Sequence, residues 1–222
     1  MSNTAKTIYF AGGLFDHKEL VGNQLLANRI NALSQGRYQV LLPQDFESAQ
    51  TDATSVRNND YKLLIACDMI VANFDGVELD SGTVAEYCCA KMLDMPAVLF
   101  RTDFRNGVER PGAIVPWNLM ISAYPRTVNV IVNGMDELIA QGRDAEKYHT
   151  ALAEKIIAAL DEVSAMKSVL PATGLPEHYR KILDLLGAGM KELFTADALD
   201  ELIAGKIRRG IYSDCGKIVF SI

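Results

Sequence analysis

What most constrains this chain is an alternation of two kinds of segment. Short apolar runs at residues 7–11, 38–42, 69–74, 97–101 and 128–132 are separated by stretches of helical length and period. Residues 19–34, for example, set Leu20, Leu25, Leu26, Ile30 and Leu33 on roughly one helical face. Residues 56–67 and 83–93 read as further helices, Gly12-Gly13 closes the first run and Pro43 ends the second. Strands alternating with helices connect by right-handed crossovers, which predicts a parallel sheet with helices on both faces. The run at 69–74 is apolar enough to be buried on both sides, as a central parallel strand must be. In such α/β sheets ligands sit beyond the carboxyl ends of the strands. A site is therefore expected on the loops at 12–16, 44–47, 75–81 and 102–120.

Composition narrows the kind of ligand. The 222 residues carry a formal net charge of −6 and a pI near 5.1, with no block of like charge. A nucleic-acid surface needs clustered Lys and Arg to replace phosphate counterions, so a small substrate is expected and no nucleic-acid partner. No apolar run approaches the ~20 residues that cross a bilayer. Residues 1–6 lack the apolar core and cleavage site of a signal peptide. Cys67, Cys88, Cys89 and Cys215 follow neither a zinc spacing nor a disulfide scaffold, and Cys88 and Cys89 read as reduced thiols within a helix. These bounds point to the cytoplasm, with no membrane partner. After residue 134 the texture changes. Residues 136–164 read as one long helix or two, 171–176 as a turn-rich break, 177–209 as helix interrupted at Gly187 and Gly189, and 210–222 as weakly strand-like. The expected division is a main domain over residues 1–160 and a helical C-terminal extension over 165–222.

The densest polar cluster runs from Asp75 through Glu78, Asp80, Ser81 and Thr83 into the helix that carries Glu86. Thr83 followed by Glu86 fits a capping box, with Thr83 as N-cap and Glu86 at the third helical position. Taken alone, that makes Glu86 an ordinary helix-start residue. A carboxylate in a first turn is also favoured by the helix dipole, by about 0.3–1 kcal/mol, which would keep it ionised as a nucleophile must be. Asp80 lies six residues earlier, and paired carboxylates flanking a glycosidic bond supply a nucleophile and an acid. Gly12-Gly13 lacks the rest of a dinucleotide or Walker spacing, so a tight turn near a small ligand is the better reading. His17, His149 and His178 are scattered, and neither a Ser/His/Asp set nor a metal-ligand cluster is evident.

Four motifs in order carry a resemblance. Ile8-Tyr9-Phe10-Ala11-Gly12-Gly13-Leu14-Phe15 resembles the first strand and glycine turn of the nucleoside 2-deoxyribosyltransferases. Asn58-Asn59-Asp60 is similar to their helix-borne aspartate. Asp80-Ser81-Gly82-Thr83-Val84-Ala85-Glu86 is similar to their aspartate-to-glutamate loop, and Asn118-Leu119-Met120 resembles the segment a neighbouring subunit inserts into the site. The motifs span roughly residues 7–122 and imply a flavodoxin-like, doubly wound α/β core.

The resemblance also implies roles. Glu86 attacks C1′ of the sugar, Asp60 and Asp80 contact sugar and base with one of them protonating the departing base, and Tyr9 orients the carboxylate. Phe15 walls the base pocket beside Gly12, Gln44 meets the base edge, and Asn118 reaches the sugar 5′-hydroxyl across a subunit interface with Met120 beside it. The implied activity, within nucleotide salvage, moves 2-deoxyribose between deoxyribonucleosides and free nucleobases, needs no cofactor and no metal, and works in a homo-oligomer, dimer or hexamer, with a shared active site. A 2-deoxynucleoside 5′-monophosphate N-glycosidase and a non-catalytic nucleoside-binding sensor are the alternatives. The departure is the C-terminus: some members end on a tyrosine that reaches the catalytic glutamate, whereas this chain continues to Ser221-Ile222. Tyr148 or Tyr212 takes that place, or the contact is missing.

Overall fold

The structure, a computed structural model, describes residues 5–46, 52–105 and 115–213. Five strands, β1 (Lys6–Ala11), β2 (Tyr38–Leu41), β3 (Met69–Asn73), β4 (Ala97–Arg101) and β5 (Thr127–Ile131), form one sheet in the order β2-β1-β3-β4-β5. Every pairing is parallel. Register sets Phe10 beside Val71 and Val71 beside Val98, so the middle of the sheet is apolar on both faces. In β3, Met69, Ile70, Val71 and Ala72 are fully buried, which only a strand covered from both sides requires.

The helices follow from local signals. α1 (His17–Leu33) opens on Asp16, whose carboxylate accepts from the amides of Lys18 and Glu19. α2 (Ala53–Ala66) opens on Asp52, which accepts from Thr54 and Ser55. α3 (Ser81–Met92) opens on Asp80, α4 (Gly134–Ala140) on Asn133 and α5 (Ala145–Ser164) on Asp144. A short acceptor side chain satisfies amides that the first turn leaves without partners. Strand order reverses between β1 and β3, so right-handed crossovers place α1, which packs on α5, opposite α2 and α3. This is the flavodoxin-like arrangement, with its ligand crevice outside the carboxyl ends of β1 and β3.

Residues 134–164 form two helices rather than one, and α2 begins three residues earlier than its apolar pattern starts. The extension contains α6 (Leu175–Leu186), a 3₁₀ turn (Met190–Leu193) and α7 (Ala196–Arg208). It is fastened to the amino end of the sheet. The Arg209 guanidinium forks onto Asp68 at 2.8 Å on each oxygen, and the same carboxylate accepts from the Thr7 amide. Lys206, wholly buried, donates to the Cys67 carbonyl. Asp94 pairs with Arg126 and accepts from the amides of Val169 and Leu170. The expected strand-like ending has only residues 210–213 described, and they form a turn and bends. Cys215, Glu47 and residues 106–114 of the 102–120 loop lie outside the described residues. Among the described residues no helix is long and apolar enough to cross a membrane.

Candidate active site

Four side chains meet at the reversal point. Tyr9 points from β1 toward α3, wholly buried, and its hydroxyl donates to Glu86 Oε1 at 2.5 Å. Asp60, on α2, and Asp80, at the head of α3, both raise the Glu86 pKa through their charge. Burial is the largest cause and the Tyr9 bond opposes it, leaving the Glu86 carboxyl pushed up to about 7. Burial and the adjoining Glu86 charge hold the Tyr9 hydroxyl well above its ordinary range, so it stays a donor.

Two cavities open on these groups. One, of about 170 Å³, is lined by Gly12, Leu14, Phe15, Asp60, Asp80 and Glu86 among others. The second, of about 490 Å³, shares Val56, Asp60, Gly82 and Glu86 with it and adds Arg57, Tyr61 and Ala85. The glycine turn is shaped from behind by α1. Asn23 Nδ2 donates to the Gly13 carbonyl at 2.9 Å, and Glu19 accepts from the Phe15 amide at 2.8 Å. A Cβ on Gly13 would stand 2.6 Å from Glu19 Oε1, so a side chain there would displace the Glu19 carboxylate that holds the Phe15 amide. Phe15 is left 79% exposed at the rim, a ring with a free face.

Several expectations change at this site. Thr83 is not the N-cap of α3. Asp80 is, and its Oδ2 accepts from Thr83 N at 2.6 Å and Thr83 Oγ1 at 2.8 Å. A charged acceptor earlier in the loop outcompetes the hydroxyl, so the helix starts at Ser81 and Glu86 sits in its second turn, outside the capping box. Nor does the helix dipole leave Glu86 an ordinary ionised carboxylate, because desolvation dominates there. Gln44 donates to the Leu20 carbonyl at 3.1 Å, and the neighbouring Pro43 lines the smaller cavity. Asp75, the first acid of the polar cluster, accepts from Thr102 N, Thr102 Oγ1 and Asp103 N and ties β3 to the loop after β4.

Asn118 and Met120 stand apart. They line a cavity of about 700 Å³ with Glu78, Arg101 and Trp117, and neither borders the Glu86 cavities. Asn118 caps a 3₁₀ turn, while Met120 is 82% exposed. Tyr148 hydrogen-bonds Thr102, and Tyr212 bonds Tyr179 and the Leu93 carbonyl, so the tyrosine on Glu86 is Tyr9. Arg57 and Tyr61 carry no motif of their own in the sequence, although Arg57 stands three positions before Asp60 and four before Tyr61, spacings that make helical neighbours. Among the described residues no group of three or more His, Cys, Asp or Glu side chains is arranged to hold a metal ion.

Comparison with known proteins bears on the same residues. The sequence model of the family Nucleoside 2-deoxyribosyltransferase matches residues 8–120, just over half the chain. Among curated proteins no sequence matches. Solved structures similar to this chain include a conserved protein from Enterococcus faecalis V583, at 22% identity and TM-score 0.47 over 71% of this chain and 98% of that one. A 2-desoxiribosyltransferase from Leishmania mexicana aligns at 26% identity and TM-score 0.44, covering 67% of this chain and 97% of its own. The CMP N-glycosidase BcmB of Clostridium botulinum aligns at 15% identity and TM-score 0.42, covering 71% and 98%.

Proposed function

The chain belongs to the nucleoside 2-deoxyribosyltransferase family, an enzyme family, and from that premise we propose that it moves 2-deoxyribose from one nucleobase to another through an ester on Glu86. The observation that carries this reading is the Tyr9–Glu86 hydrogen bond at the floor of a cleft shared with Asp60 and Asp80. Tyr9 holds Oε1, which leaves Oε2 to approach C1′. A lone pair of Oε2 forms the C1′–O bond while the electrons of the C1′–N bond leave with the base, which takes a proton as it departs. Asp80 is committed to the helix cap through Oδ2, so Asp60, bordering both cavities, is the proton donor. An incoming base then attacks C1′ from the opposite face, expels the Glu86 carboxylate and returns its proton to Asp60. Two inversions give net retention. The carboxylates of Glu86 and Asp80 also supply negative charge around an oxocarbenium-like transition state.

The test is to incubate the protein with deoxyinosine and free adenine or cytosine and to follow new nucleoside. Exchange is expected, and Glu86→Ala is expected to abolish it in a protein that still folds. Free 2-deoxyribose without exchange would mark a hydrolase, and binding without turnover a sensor; either would overturn the transferase reading. Inosine is expected to be a much poorer substrate than deoxyinosine, because a 2′-hydroxyl would have to fit against the attacking carboxylate. Comparable kcat/KM for the two would contradict that expectation.

A further inference from the structure

The half of α2 that carries Asp60 is weakly anchored to the sheet. Of the whole helix only Asn58, Leu64 and Ile65 are buried, and the two apolar residues lie beyond Asp60. Asn58 is therefore the single buried anchor of the preceding turns, and its partner comes from the C-terminal extension. Asn58 Nδ2 donates to the Ala188 carbonyl at 2.6 Å. Arg57 donates to the Leu186 carbonyl at 2.8 Å and to Asn58 Oδ1 at 2.9 Å, with its guanidinium 4.9 Å from the centre of the Tyr61 ring.

The accepting turn is specially shaped. Gly187, Ala188 and Gly189 all have positive φ, at 61°, 51° and 78°. A residue with a Cβ adopts that conformation at a cost. Leu186 ends α6, where carbonyls lack helical partners and the dipole favours a cation, so the Arg57 bond satisfies the end of α6. One turn further along α2, Asp60 and Tyr61 face the cavity that holds Glu86.

We propose that the C-terminal extension is a positioning element of the active site, holding Asp60 against Glu86 by fixing Asn58 and Arg57 through the carbonyls of residues 186 and 188. This rests on the assignment of Asp60 and Glu86 to the chemistry proposed above. Arg57 and Asn58 are positioning residues that act through Asp60.

The test uses the full chain and two readouts. In Asn58→Ala, amide hydrogen exchange should speed up over residues 53–60 and stay unchanged in β1 and β3. Its kcat should fall about tenfold to a hundredfold with KM little changed, as expected when a reacting group shifts by a fraction of an ångström. Asn58→Leu, which restores bulk without a donor, should not rescue either readout. Arg57→Lys, a milder change that keeps the charge, should shift both in the same direction if Asn58→Ala folds poorly. Ser168→Ala is the control, because it loosens the Ser168–Ser213 contact of the extension and should keep kcat. Unchanged exchange over residues 53–60, or full kcat in Asn58→Ala, overturns the proposal. A wild-type chain that transfers nothing overturns the proposed function instead, and the exchange readout still decides whether the extension holds α2.

Discussion

Glu86 combines two demands that pull in opposite directions. A buried carboxyl with a pKa near 7 is protonated over much of the acid range, yet it must be ionised to attack C1′. The limb of kcat/KM that Glu86 governs is therefore expected to rise as pH passes through about 7, measurable in a pH-rate profile. In Tyr9→Phe the opposing hydrogen bond is gone, so this limb should move to higher pH; a limb that stays in place would mean that Tyr9 does not tune the carboxyl. Stability runs the other way. A carboxyl whose folded pKa is raised from 4.5 to about 7 contributes stability fully below its unfolded pKa, and that contribution is lost as pH rises through the folded one. Glu86→Gln has no such loss. Its unfolding free energy relative to the native chain should improve by about 2–3 kcal/mol between about pH 5 and pH 8, by urea denaturation at each pH. The same variant should not turn over.

At the level of the element, Asp80 shows how one side chain serves the helix and the site together. It caps α3 and its charge also raises the Glu86 pKa. The two functions separate by substitution. Asp80→Asn keeps a capping oxygen, so thermal stability should change little, while the pH-rate limb moves to lower pH. Asp80→Ala should lose about 1 kcal/mol of stability as well. If both variants are equally destabilised, the cap is not what Asp80 contributes. The strands were legible to within a residue because each is a short apolar run bounded by Gly, Pro or polar residues, as β3 is. Helix starts were less so. Asp80 and Thr83 are both capping types, and which one wins is set by the path of the loop rather than by residue preference. The same limit hid the bonds of Arg57 and Asn58, whose carbonyl partners sit 129 and 130 positions away in the extension, a distance that no local pattern records.

Across the whole molecule the sheet separates two jobs. Its amino end is closed by charge, with Asp68, Asp94, Arg126 and Arg209 binding the extension to the core. Its carboxyl end carries the cleft. Asn118 and Met120 lie outside that cleft, and we propose that they complete the site of a second copy. Glu86→Ala and Asn118→Ala, each nearly inactive, should then regain activity when co-expressed with two different tags, since a mixed oligomer contains some sites with both residues intact. Tag-verified mixed oligomers with no recovered turnover would confine Asn118 to its own subunit or to no site at all. The face that carries Asn118 also brings a built-in optical probe. Trp117, the only tryptophan of the chain, is 3% exposed and packs edge-on against Phe74, and its indole N–H has no partner among the described residues. Its emission should accordingly be blue, as for an indole shielded from water. Any partner that covers or uncovers the neighbouring cavity will change its colour or its quenching by acrylamide. Dilution monitored at this single fluorophore would thus follow assembly without substrate and without reference to turnover.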